Sequence, residues 1–384
     1  MIEFITKKVE TRQSVCESNF IFINLIVTVI MEGDSESMEN NTTVSASDNR
    51  DHEHVDNNSD TEKSDHEEEE DGETGTIEIL DKDRDAYELD FQHCKIRKLE
   101  NLESLTRIET LGFRWNLLKK IENLQTLTTL QELELYDNQI CCIENLECLV
   151  NLRMLDISHN RIRKIEGLDN LVNLKKLFLV SNKISKIENI AQLTKLEMLE
   201  LGDNKIRKIE NLDSLTQLRE LYLGKNKITS IDSLESLSNL SLLSIQTNRI
   251  RQITGLDSLS QLEELYIADN GLTNLTGLHN QNLQTLEVAN NKVNNISGDS
   301  DLEFRNHLIT KCYMAGLEHM TRLEEFWANG NEVSSWGEVD KLSRNTSLLT
   351  VYLEHNPVAK DPQYRRKLKM TCPSLTQIDA TLCQ

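Results

Sequence analysis

From about residue 77 the chain settles into a single pattern of apolar and polar positions. Leu130-Gln-Glu-Leu133-Glu-Leu135-Tyr-Asp-Asn138-Gln-Ile140 aligns with Leu152-Arg-Met-Leu155-Asp-Ile157-Ser-His-Asn160-Arg-Ile162 at every apolar position and at the Asn. That Asn recurs at 116, 138, 160, 182, 204, 226, 248 and 270, always 22 residues apart. Asn291 follows after 21 residues, Asn331 after 40 and Asn356 after 25. Cys94 stands 22 residues before Asn116, in a slot where such repeats also accept Cys. Equal spacing over eight copies is not the product of chance, and the more degenerate outer copies are what the ends of a repeat array need.

Each position has a physical role. The L-x-L piece predicts a short strand with two side chains inward and one outward. The Asn carries two donors and an acceptor, so at the bend after the strand it can satisfy backbone groups of neighbouring turns. The rest of the unit, as in Ile143-Glu-Asn-Leu146-x-x-Leu149, sets an apolar residue every third position. Twenty-two residues leave little room for a long helix, so this return predicts 3₁₀ or very short helical turns. No single turn can bury its apolar face alone; neighbours must cover both sides. The expected fold is therefore α/β: a leucine-rich-repeat solenoid, or horseshoe, with a parallel concave sheet and short 3₁₀ or helical convex turns. It should have about twelve turns of 22 residues and be capped at both ends.

The same pattern divides the chain. Residues 1–76 are expected to be a disordered acidic segment, residues 77–356 the repeats, and residues 357–384 the C-terminal cap, with Ile77–Phe91 opening the N-terminal one. The 40-residue step implies an insert near 297–315, expected to bulge from the convex side or an edge. Lys7, Lys8 and Arg12 precede an apolar run, Phe20 to Ile30, that is too short to span a bilayer. No A-x-A-like cleavage site follows, and translation starting at Met31 would leave residues 1–30 unmade.

Charge changes the picture only for the tail. The net charge is −22, and residues 31–80 hold 18 Asp/Glu against 2 Lys/Arg, which leaves −6 for the rest. The repeat body is close to balanced and no basic face stands out, so nucleic acid is not an expected ligand. The eight cysteines (16, 94, 141, 142, 148, 312, 372 and 383) include no CxxC pair and fit no zinc spacing. Scattered through a large chain, they suit a reduced compartment. No GxxxxGK[ST], HExxH or GxSxG motif occurs, and no catalytic site, cofactor or metal is expected.

The informative side chains are the outward ones, four residues before each Asn: Gly112, Glu134, Asp156, Phe178, Glu200, Tyr222, Ser244, Tyr266, Glu287, Trp327 and Tyr352. They should form one column in which aromatics alternate with carboxylates. With the inward slots already taken by Leu, Ile or Val, the aromatics are expected to be exposed, and exposed aromatics in a row mark a binding face. The carboxylates imply a protein partner that presents Lys or Arg.

Several stretches are specific beyond the generic repeat. Leu133-Glu-Leu-Tyr-Asp-Asn-Gln-Ile140, Leu174-Lys-Lys-Leu-Phe-Leu-Val-Ser-Asn-Lys-Ile-Ser-Lys-Ile-Glu-Asn189 and Leu223-Gly-Lys-Asn-Lys-Ile228 resemble the leucine-rich-repeat regulatory subunits of protein phosphatase 1, the regulatory subunit 7 family. Tyr352-Leu-Glu-His-Asn-Pro, Lys360-Asp-Pro-Gln-Tyr-Arg-Arg-Lys367 and Pro373-Ser-Leu-Thr-Gln-Ile-Asp-Ala380 resemble that family's cap, and the similarity covers about residues 76–382. The resemblance implies a non-catalytic subunit whose concave face holds the phosphatase 1 catalytic subunit and modulates its activity or maturation. Carried over by position, the implied contacts are Asp156, Phe178, Glu200, Tyr222, Glu287, Glu325, Trp327 and Tyr352. Tyr222 stands where the family has Phe and Glu287 where it has Asp; both keep the character of the side chain. If the insert distorts the stack, Glu325, Trp327 and Tyr352 shift relative to the earlier column. The resemblance further implies residence in nucleus and cytoplasm, a part in the cell cycle, no membrane contact, and a monomer outside the complex. The chain has no short basic-Val/Ile-x-Phe/Trp docking peptide, so a binder of that phosphatase would use the folded face. The competing readings are a structural adaptor of axonemal or centrosomal type and a secreted recognition protein.

Overall fold

The L-x-L pieces do form strands of three residues each, and their register follows from the 22-residue period. In the computed structural model, which describes residues 75–383 except 279, 281 and 297–315, the strands are β1 Glu88–Asp90, β2 Thr110–Gly112, β3 Glu132–Glu134, β4 Met154–Asp156, β5 Lys176–Phe178 and β6 Met198–Glu200. They continue as β7 Glu220–Tyr222, β8 Leu242–Ser244, β9 Glu264–Tyr266, β10 Thr285–Glu287, β11 Glu325–Trp327 and β12 Thr350–Tyr352. Each pairs in parallel with the next, so these twelve enclose eleven complete turns of a solenoid. The sheet has 14 strands in sequence order; β13 (Gln377–Ile378) joins β12 in parallel and β14 (Thr381–Leu382) closes it antiparallel. The expectations for the acidic segment, the first thirty residues and the insert fall outside the described residues.

Two hydrogen-bond ladders hold the turns in register. In the first, the Asn160 amide donates to the Leu135 carbonyl of the preceding turn at 2.9 Å, and its oxygen accepts from the Ile140 N–H at 2.9 Å. The same pattern runs from Asn116 to Asn356, and Asp379 takes the acceptor role at the cap, receiving the Leu353 N–H at 2.9 Å. The second ladder lies at the start of each return segment. Asn123, Asn145, Asn189 and Asn211 donate to a carbonyl one turn earlier at 2.6–2.7 Å. Each of these residues has φ near +60°, a conformation Asn tolerates better than most side chains. Gly167 fills the equivalent place at φ +67°, where a Cβ would stand 2.5 Å from the Ile143 carbonyl oxygen.

Between the ladders the return segments are chains of 3₁₀-type turns, as with the Leu149 and Leu152 N–H groups donating to Leu146 and Leu149 carbonyls at 3.0 Å. Among the described residues, α-helices appear only toward the C-terminus: α1 (Trp336–Val339) and, in the cap, α2 (Tyr364–Thr371). The core is one continuous column of fully buried Leu, Ile, Val and Phe from Ile77 to Ile378.

The expectation that no basic face stands out fails on one edge. The residue just after each ladder Asn is Arg161, Lys183, Lys205, Lys227 and Arg249 in five successive turns. Net charge summed over the repeat body does not show this row.

Candidate functional site

Side chains alternate across a strand, so residues two apart share a face. The outward column before each Asn is therefore the centre of the sheet face, flanked by the residues two before and two after. Register places Glu134, Asp156, Phe178, Glu200, Tyr222, Ser244 and Tyr266 side by side in successive strands. The column continues through Glu287, Trp327 and Tyr352. The 40-residue step does not interrupt it: Glu287 of β10 is paired directly with Trp327 of β11. Seven of the eight residues implied by resemblance lie in this column. Glu325 does not; it stands in the flanking column, two residues before Trp327, between Thr285 and Thr350.

The expectation of exposed aromatics needs correction. Phe178 is only 2% exposed and Tyr352 7%, while Tyr222, Tyr266 and Trp327 are half-buried. Strands about 4.8 Å apart let a large side chain be covered from both sides by its rung neighbours. Phe178 sits between Asp156 and Glu200, with Val180 and Met198 also buried on the same face. Tyr352 is covered by Trp327, whose ring stacks on it at 4.3 Å between centroids, and its hydroxyl accepts from Gln377 Nε2 of the cap at 2.7 Å.

Burial also sets the electrostatics. Asp156 is 5% exposed and Glu200 8%. Burial raises the Asp156 carboxyl to about 6 even though its oxygen accepts the Ser158 N–H at 2.9 Å. Burial raises Glu200 to about 8, with further upward pushes from Asp156 and Glu220, and Glu287 to about 7, with help from Asp269. At the start of the face Arg114 pairs with Glu134 at 2.5 Å.

Two features escaped the sequence reading. Three of the five ring-bearing strands share a motif: Tyr222 donates its hydroxyl to Glu220 at 2.9 Å, Tyr266 to Glu264 at 2.7 Å, and Trp327 its indole N–H to Glu325 at 3.3 Å. The signal was legible as Glu-Leu-Tyr, Glu-Leu-Tyr and Glu-Phe-Trp. The second feature is a run of rings beside the first turns. His93 stacks on Trp115 at 4.6 Å, Trp115 meets Tyr136 edge-on at 5.6 Å, and Tyr136 packs on His159 at 4.7 Å. Three of these occupy the left-handed position just before the ladder residue, and that offset from the Asn was the available signal.

Among the described residues no group of His, Cys, Asp and Glu comes together as a metal site, and no helix is long and apolar enough to cross a membrane. Cys94, Cys141, Cys142, Cys148, Cys372 and Cys383 are free thiols.

Comparison with known proteins bears on both fold and relatives. A family model described as leucine-rich repeats in two copies matches residues 128–170, 150–188, 172–214 and 216–258. An internalin (inlF) from Listeria monocytogenes superposes with a TM-score of 0.63 at 25% identity, over 79% of this chain and 90% of that one. The APL1 leucine-rich repeat domain does so at 0.56 with 18% identity, over 72% and 70%. The chain is thus a leucine-rich-repeat solenoid. Among curated proteins, protein phosphatase 1 regulatory subunit 7 of Homo sapiens is 57% identical over 49 residues, 13% of this chain and 14% of that protein. Protein phosphatase 1 regulatory subunit SDS22 of Schizosaccharomyces pombe is 47% identical over 73 residues, 18% and 21%. The matched stretches span only 14% to 21% of those relatives, far less than the resemblance drawn over 76–382. These relatives bear out the likeness to phosphatase 1 regulatory subunits.

Proposed function

We propose that this leucine-rich-repeat protein is a non-catalytic regulatory subunit that binds the catalytic subunit of Ser/Thr protein phosphatase 1 through its sheet face and modulates its activity or maturation. The observation that carries the reading is the unbroken central column. Asp156, Phe178, Glu200, Tyr222, Glu287, Trp327 and Tyr352 stay in register over β4 to β12, with Glu325 beside Trp327. The names of the curated relatives support the partner. The chemistry of the column supports a protein surface rather than a small molecule: half-buried Tyr and Trp rings as anchors, and desolvated carboxylates that favour Lys or Arg. Residence in nucleus and cytoplasm, a role in the cell cycle and a monomeric free state belong to the same proposal.

Calorimetric titration of the full chain with the phosphatase 1 catalytic subunit tests it. One-to-one saturable binding is expected, weakened by about 2 kcal/mol or more in Trp327→Ala, as for an interface hot spot. Absence of heat with a cooperatively folded chain would end the phosphatase reading and favour a structural adaptor.

A further inference from the structure

The basic edge lies away from the sheet face and has no part in the reading above. Its row is fixed by backbone geometry. The N–H groups of Lys183, Lys205, Lys227 and Arg249 donate to the carbonyls of Ile162, Ile184, Ile206 and Ile228, each at 2.8 Å, so successive cations stand one hydrogen-bonded rung apart. Rungs are about 4.8 Å apart. Among the described residues these four side chains have no ion-pair partner, whereas Lys164 and Lys186, farther round, are paired with Glu166 and Glu188. Of the acids two residues back on the sheet side of the bend, Asp203 already accepts the Ser181 hydroxyl at 2.8 Å.

The row then opens into a groove. After Arg249 the next position is Gly271, which has no side chain, and the cations resume at Lys292. The gap has a volume of about 830 Å³ and is lined by Arg249, Arg251 and Lys292, with Thr229, Thr273, Asn248 and Asn270. Three cationic residues around an open space suit an oxyanion that arrives on a side chain.

We propose that this edge is a docking surface for an extended, Asp/Glu-rich polypeptide segment of a partner protein, with the groove at Gly271 receiving one of its carboxylates. From Arg161 to Lys292 the row covers six rungs, roughly 29 Å, the length of about nine extended residues. A polypeptide is favoured over nucleic acid because no ring stands in the row or at the two outward positions beyond it. Bases would have nothing to stack on.

Fluorescence anisotropy of a labelled polyglutamate peptide against the full chain, at physiological ionic strength, tests the proposal. Saturable binding is expected. The triple variant Lys205→Glu, Lys227→Glu, Arg249→Glu should weaken it by about tenfold or more. Gly271→Trp, which fills the groove without changing charge, should weaken it by roughly threefold or more. A control with the same charge change on the opposite edge, Arg153→Glu, Lys175→Glu, Lys195→Glu, should leave it within about twofold. Circular dichroism would establish that each variant is folded, and phosphatase binding should survive in both edge variants. Absence of peptide binding, equal loss in the control, or tighter binding of an oligothymidylate than of polyglutamate would overturn the proposal.

Discussion

Between β4 and β6 the carboxylates of the sheet face stand in the central column itself, Asp156 and Glu200 on either side of Phe178. Between β7 and β11 they stand mostly in the flanking column, where Glu220, Glu264 and Glu325 each accept a hydrogen bond from the ring beside them. The first stretch buries carboxyl groups around an apolar side chain; the second uses carboxyl groups to orient aromatic ones. The framework beneath is the same in both, so the contrast is a property of the outward residues alone. Glu287 is the exception in the second stretch, a central carboxyl also raised by burial. In the first stretch a bound Lys or Arg would relieve an existing electrostatic penalty. In the second, the rings are held ready before any partner arrives.

The largest effects are expected in the framework that both stretches share. Asn182→Ala and Asn331→Ala each remove an amide that bonds three carbonyls and leave one buried N–H, of Ile162 or Val293, without its acceptor. Each should cost about 3 kcal/mol or more, read by urea denaturation. Similar losses at the two sites are expected. A much smaller loss at either would mean that the halves differ below the surface as well.

The next effect separates the halves by pH. The folded-state carboxyl of Glu200 is raised by burial from an ordinary value near 4.5 to about 8. The folded chain then holds this proton more tightly than the unfolded one, so stability falls as pH rises through that window. Glu200→Gln should therefore be more stable than the parent by about 2–4 kcal/mol at pH 8.5, with the gap shrinking toward pH 5. A constant gap across that range would show that ionising Glu200 carries no penalty in the folded chain.

The smallest effect lies in the second half. Glu220→Ala leaves the half-buried Tyr222 hydroxyl without its acceptor and should cost about 1 kcal/mol. Phosphatase affinity should fall as the ring loses its fixed orientation, and an unchanged calorimetric titration would show that the hydrogen bond does not orient the ring for binding.

Much of this is legible in the amino-acid sequence. The period of the Asn residues set the register, and counting four positions back from each set the central column, because strand alternation leaves no other outward residue there. What was not legible is lateral. Burial of Phe178 and Tyr352 depends on neighbours 22 or 25 residues away pressing from both sides, and inward-outward alternation says nothing about cover along the rung direction. The Glu–Tyr pairs were visible as a motif but not as hydrogen bonds, since their meaning depends on two side chains sharing a face. The basic edge was missed because charge was summed over the body rather than read at a fixed offset from the Asn.

The step from Asn291 to Asn331 has a consequence for how such a molecule can change in length. The entropy of closing a loop grows only with the logarithm of its size, so 40 residues in place of 22 cost roughly 0.5 kcal/mol more. That is less than one hydrogen bond of the Asn ladder. With Glu287 still paired to Trp327, the junction between β10 and β11 takes a longer connection without a change of strand register. Connection length and strand register are decoupled there.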